Sequence, residues 1–345
     1  MEVVTSNDAS KSIKPNRIDG LDFLKGFAIL WVVLEHALPT SIATGFTMVF
    51  PFKAVPVFFS ITLYLMFRKF SGKQEYFRDW YQWERFWRMF KKVFIPFFLV
   101  LLVQVLILLN KQGGVISVIY AGGYGPGAYY PWVYLQMWFL APVLFWIVDR
   151  KKWRGVLLLL VICVALNVIL SYAGIVPTGL YRLLAIRYFF LAAIAYIWLH
   201  HEDYNKFVLL LLGFVSLLYL WYFRNADLTP VVYNVPGWTI HNYPGYFFTL
   251  VMIVFLLAFA KESKDLRVMK FFKWCGENSW YIFLAQMFIM GFFHSEHIES
   301  VISNSALAII VYMLIVFALT LGSVYLYLYC VRVIQMKRQS RDLVK

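Results

Sequence analysis

Long apolar runs separated by short polar stretches constrain this 345-residue chain more than any other feature. Ten can be marked, at about 20–38, 47–67, 90–109, 131–149, 155–173, 184–200, 206–223, 243–260, 278–293 and 304–332. A bilayer offers no water to backbone N–H and C=O groups, so segments of this kind satisfy them internally as helices. With 62% hydrophobic and 14% charged residues, the composition is far from a soluble domain's. The expectation is an all-α polytopic membrane protein, a bundle of about ten transmembrane helices.

Charge orients the bundle. Lys11, Lys14 and Arg17 precede the first run, Arg68 to Lys92 separate the second from the third, and further clusters lie at Arg150 to Arg154, Lys261 to Lys273 and Arg332 to Lys345. With ten spans these clusters share one side, and a lysine and arginine excess marks the cytoplasm. Both termini are therefore expected there, with 1–18 and 334–345 as cytoplasmic tails and 19–333 as the membrane domain. The formal charge of +14 belongs to these loops, so nucleic-acid binding is not indicated. Cys163, Cys275 and Cys330 stand singly, without metal-ligand spacing, and no metal site is expected. The polar segment before Arg17 has no signal-peptide core.

The first run carries ionisable groups. In Asp19 to His36, Asp22, Lys25 and His36 fall near one helical face, and Lys25 to His36 spans three turns, roughly 16 Å of rise. That is about half the apolar thickness of a bilayer. Ionisable groups at such depth line a polar cavity or snorkel to the interface. Glu35 adjoins His36, but neighbouring helix residues point about 100° apart, so it orients the imidazole only if the helix end is irregular.

Between the second and third runs, aromatic and basic residues interleave through Arg85, Arg88, Lys91 and Lys92, as in a helix near the interface. These cations serve topology alone, or converge on a phosphate-rich ligand such as an acyl-coenzyme A, a nucleotide sugar or anionic lipid. Further on, Trp132 suits an aromatic belt or a sugar-stacking wall, and Gln136 needs a partner within its span. Arg182 and Arg187 flank the sixth run, where Arg187 reaches inward or snorkels. His241, His294 and His297 read as wet loop histidines, and Glu296 between the last two does not make the helical His-Glu-x-x-His arrangement of a zinc hydrolase. Gly276 and Asn278 supply a turn, and Ser279 is placed to cap the ninth helix, which carries Tyr281 and Gln286.

Asp19-Gly-Leu followed by Lys25, ten residues and His36 resembles the opening signature of the membrane-bound acyltransferase-3 family. Arg85-Phe-Trp-Arg88 and Lys91-Lys92 before Pro96 resemble its paired arginines before a proline, and Trp132 to Pro142 its aromatic fourth span. Gly276, Ser279 and Tyr281 resemble its late Gly, Ser, Tyr pattern, with Gln286 where many members have histidine.

The resemblance implies an O-acyltransferase of the bacterial cytoplasmic membrane. It would move an acyl group, usually acetyl from cytoplasmic acetyl-coenzyme A, to a hydroxyl of an envelope glycan or lipid-linked saccharide. Lys25, Arg85, Arg88, Lys91 and Lys92 would then hold donor phosphates, with Asp22 shaping their entrance and His36 as general base. Arg187, Tyr281, Gln136 and Ser279 are candidates for the oxyanion donor that thioester attack requires. No tightly bound cofactor is expected, and membrane lipids are the surrounding partner. A transporter or flippase for a lipid-linked saccharide is the competing expectation.

Overall fold

The computed structural model describes residues 20–38, 54–109, 114–150, 152–173, 183–225, 243–263, 266–302 and 304–342, and the regular structure among them is helical. The helices are α1 (Leu21–Ala37), α2 (Ala54–Phe70), α3 (Tyr76–Trp80), α4 (Trp83–Leu108), α5 (Gly114–Ala121), α6 (Tyr130–Val148) and α7 (Trp153–Ala173). They continue as α8 (Leu191–Leu199), α9 (Lys206–Asn225), α10 (Tyr246–Glu262), α11 (Arg267–Glu277), α12 (Ser279–Phe292), α13 (Glu296–Glu299) and α14 (Ser305–Asp342). Each of the ten apolar runs carries a helix. Among the described residues, three stretches, Trp83–Leu108, Tyr130–Val148 and Ser305–Lys337, are long and apolar enough to cross a membrane by length and composition. The apolar helices Trp153–Leu166, Ala185–Leu199, Lys206–Tyr222 and Ser279–Phe292 are shorter.

Apolar side chains on the outside of the bundle identify its solvent. Leu99, Leu102 and Leu106 of α4 are each more than half exposed, recurring at three- and four-residue intervals. A stripe of this kind in water would be an association hazard; against lipid it is the expected outer surface. At the centre, α8 is apolar all round and buried from Leu191 to Trp198, the mark of a helix enclosed by others. It packs chiefly on α2, where Phe59 sits 4.8 Å from the ring of Tyr130 and 4.7 Å from that of Tyr188.

The closest helix crossing joins α1 to α11. A Cβ on Gly26 would fall 1.8 Å from the carbonyl oxygen of Phe272, and one on Gly276 would fall 1.7 Å from that of Asp22. Two glycines thus let the backbones touch, as small residues do at membrane helix crossings. The turn expected of Gly276 is therefore not its role. The break between α11 and α12 falls at Asn278, whose side chain bonds back to the Trp274 carbonyl oxygen at 2.9 Å.

Two further expectations are corrected. The interfacial helix before the third run is only the five-residue α3; Arg85 to Lys92 instead form the first turns of α4 itself, since nothing between Trp83 and Pro96 breaks a helix. Ser279 does not cap α12: Asn278 occupies the N-cap position and no side chain bonds there.

Candidate active site

Lys25, Ile29, Val32 and His36 are spaced four, three and four residues apart, which keeps them in one stripe of α1. All four line a cavity of about 250 Å³. Its other walls come from Phe58 and Thr62 of α2, Lys92 of α4, Tyr130 and Tyr134 of α6, and Ser279, Trp280 and Phe283 of α12. Because both ends of the α1 stripe line it, the cavity follows that helix for about three turns, roughly 16 Å. Lys25 is positioned by an ion pair, its Nζ lying 3.1 Å from Asp22 Oδ1. A second ammonium, Lys92, faces the same space, so two cations share a chamber whose remaining walls are mostly apolar.

His36 also lines a second, more open cleft of about 440 Å³, with Tyr124, Gly125, Pro126, His294, Glu296 and Tyr312. It is the side chain common to the linings of these two cavities. The loop from Gly122 to Tyr129 stands between them, contributing Gly125 and Pro126 to the cleft and Gly127 and Tyr129 to the chamber. Gly125 has φ +106°, and a Cβ there would lie 2.1 Å from the Met287 carbonyl oxygen, so only glycine fits.

Two side-chain amides pin this loop and its neighbour. Gln104, fully buried in α4, donates to the Tyr124 carbonyl oxygen at 2.6 Å and accepts from the Tyr124 N–H at 3.2 Å. Gln136 donates to the carbonyl oxygens of Leu183 at 2.6 Å and Trp132 at 3.1 Å, and accepts from the Ala185 N–H at 3.0 Å. The Trp132 indole N–H donates to the Gly122 carbonyl oxygen at 2.7 Å.

These bonds correct several candidate roles. Gln136 has both amide protons committed to backbone carbonyls, which removes it as an oxyanion donor. Trp132 packs edge-on against Phe94, Phe97 and Phe98 and lines neither cavity, so it is a wall behind the site and not a sugar platform. Tyr281 turns toward α14, its ring 5.1 Å from that of Tyr327. Arg187 is 3% exposed, with its guanidinium 4.8 Å from the Tyr129 ring and 4.6 Å from the Tyr188 ring; it stands behind Tyr129, outside the chamber lining. Glu35 lines neither cavity, as its angular offset from His36 on a regular helix dictates. Ser279 remains in the chamber wall. Arg182 and His241 lie outside the described residues.

Of the basic residues ahead of Pro96, Lys92 alone lines the chamber. Arg85 lies over the Trp80 ring at 5.4 Å, Lys91 over the Trp87 ring at 5.3 Å, and Arg88 Nε donates to the Glu84 carbonyl oxygen at 3.3 Å. Just past the second apolar run, burial, reinforced by Arg85, Arg88 and Lys73, holds the Lys69 ammonium below the ordinary lysine range. Positive charge thus gathers at this end of α2 and α4.

Several lining residues escaped the sequence reading. Tyr129, Tyr130, Tyr134 and Trp280 are chamber walls, but in a chain with 23 tyrosines and 13 tryptophans nothing local distinguishes them. His294, read as a wet loop histidine, and Glu296, given no role, border the cleft beside His36. Gln104 was detectable, since an amide within an apolar helix demands a partner as Gln136 does. Among the described residues, no group of three or more His, Cys, Asp or Glu is placed to hold a metal ion.

The bundle thus has apolar outer faces and a chamber lined by Lys25, Lys92 and His36. Residues 18–328 match the acyltransferase domain of the acyltransferase-3 family, and the chain belongs to that family of membrane acyltransferases. No curated protein and no solved structure matches the chain.

Proposed function

We propose that this enzyme moves an acyl group from a cytoplasmic acyl-coenzyme A, most simply acetyl-coenzyme A, to a hydroxyl of an envelope glycan or lipid-linked saccharide. The observation that carries this reading is the position of His36, shared between the chamber that contains Lys25 and Lys92 and the cleft bordered by His294 and Glu296. On this reading the bundle has ten spans in a bacterial cytoplasmic membrane, both termini are cytoplasmic, and the cleft opens outward.

Shape and charge support the donor. A ligand whose phosphates stay with Lys25 and Lys92 needs a narrow arm to bring its reacting carbon roughly 16 Å along α1. Coenzyme A has that form, a phosphate-rich head on a thin arm ending in a thioester. Cations and phosphates form charge-assisted hydrogen bonds, and the apolar middle of the chamber suits the arm.

The acceptor enters through the cleft, with Tyr124 in its wall to meet a sugar and Glu296 to accept hydrogen bonds from the sugar's other hydroxyls. His36 takes the proton of the attacking hydroxyl as its oxygen bonds to the thioester carbonyl carbon. The carbon–sulfur bond then breaks, and the imidazolium returns the proton to the departing thiolate. This direct route needs no second nucleophile.

Purified protein in proteoliposomes, supplied with labelled acetyl-coenzyme A and an envelope glycan extract, is expected to label the glycan. Replacement of both Lys25 and Lys92 by methionine should raise the donor KM. Labelling with an unchanged donor KM in that variant would refute the chamber as the donor site.

A further inference from the structure

We infer that α11 carries a binding surface for anionic phospholipid headgroups, placed where it bears on the Asp22–Lys25 turn. Arg267, Lys270 and Lys273 are exposed and recur every third residue, so they cover one flank of the helix about 120° wide. The adjoining flank exposes Val268 and Phe271, 49% and 43% accessible, and Leu266 just ahead of the helix is 52% accessible. Met269 and Gly276 are buried on the remaining side, where the helix meets α1, and Cys275 is buried in the last turn. The helix thus has three faces: one in the protein, one apolar and one cationic.

That combination selects the partner. A soluble anion or nucleic acid would account for the cations but would leave Leu266, Val268 and Phe271 in water. A bilayer interface takes both, placing apolar side chains at the acyl boundary and lysines and arginine among phosphates. α11 lies between two apolar helices, α10 ending at Glu262 and α12 beginning at Ser279, so it sits where the chain leaves and re-enters the apolar layer. Of the charged residues within the helix, Glu277 is the single acid, at its C-terminal end, against three cations.

The surface has a route to the active site. Because the Gly26 and Gly276 backbones touch those of Phe272 and Asp22, α11 cannot shift without moving the turn of α1 that holds Lys25. Anionic lipid that seats α11 therefore also steadies the ion-paired lysine of the chamber. This consequence rests on the acyl-transfer reading; the lipid surface itself does not.

Trp274 supplies a probe within α11. Full-length protein is mixed with brominated phosphatidylglycerol or brominated phosphatidylcholine, and the signal of Trp274→Phe is subtracted to isolate that indole. Stronger Trp274 quenching by phosphatidylglycerol, falling with added salt, is expected. R267Q/K270Q/K273Q should lose the preference by more than tenfold, since each cation near the surface is worth on the order of fivefold. The charge-retaining K270R/K273R should keep it, which separates lost charge from lost folding. Equal quenching by the two lipids in the wild type, or an undiminished preference in the triple glutamine variant, would overturn the proposal. Reconstituted transfer should be faster with phosphatidylglycerol than without it. Absence of transfer in every lipid would count against the acyl-transfer reading and leave the quenching result standing.

Discussion

At the residue scale, one imidazole lies between the two cavities, so His36→Ala is expected to lower acyl transfer by at least about 100-fold, the lower range for a positioned general base. The His36 side chain is exposed, and the variant should still fold and reach the membrane, which thermal unfolding of the purified protein checks. Gln136→Leu should behave in the opposite way. It leaves the Ala185 N–H and the Leu183 carbonyl oxygen without their side-chain partner, at roughly 1–3 kcal/mol for each buried group left unpaired, and thermal unfolding should show the loss. Lys25 and His36 were legible because their separation is a helical interval and both are costly in an apolar run. Gln136 was legible as needing a partner, but that partner is a backbone 47 residues away, which no local pattern encodes. Arg187 was equally visible, with reaching inward and snorkelling left open; the structure buries it, and its place behind Tyr129 depends on packing that no local pattern encodes.

At the scale of elements, the α1–α11 crossing is the feature least tolerant of change. Gly276→Val introduces atoms where even a Cβ would meet the Asp22 backbone, and overpacking of this kind costs about 1–3 kcal/mol, more where backbone must move. Loss of thermal stability, with a raised donor KM in whatever folds, is the expected result; wild-type values for both would contradict the account of this crossing. The late Gly-Asn-Ser stretch reads locally as turn and cap, and only Asn278 serves at the break. Gly276 was misread because its requirement comes from another helix. The same holds for α4, whose basic residues look like a linker by charge yet continue one helix into the apolar layer through Pro96.

For the whole molecule, each apolar run carries a helix, since a bilayer leaves the backbone few alternatives, but α3, α5, α11 and α13 lie between the runs and were not marked by them. The enclosure of α8 and the convergence of α1, α2, α4, α6 and α12 around one chamber depend on side-chain fit between distant segments, and periodicity is silent there. The basic linker was expected to hold donor phosphates as a group. Lys92 reaches the chamber, and Arg85 and Lys91 instead lie over tryptophans. We propose as the central claim that His36 is the general base for acyl transfer to an envelope glycan from a donor held in the chamber with Lys25 and Lys92. Its most direct test compares glycan mass spectra from cells producing the wild type and His36→Ala at matched levels in the membrane. The account predicts one acetyl increment on the glycan in wild-type cells and its loss in the variant; an undiminished increment with His36→Ala would contradict it.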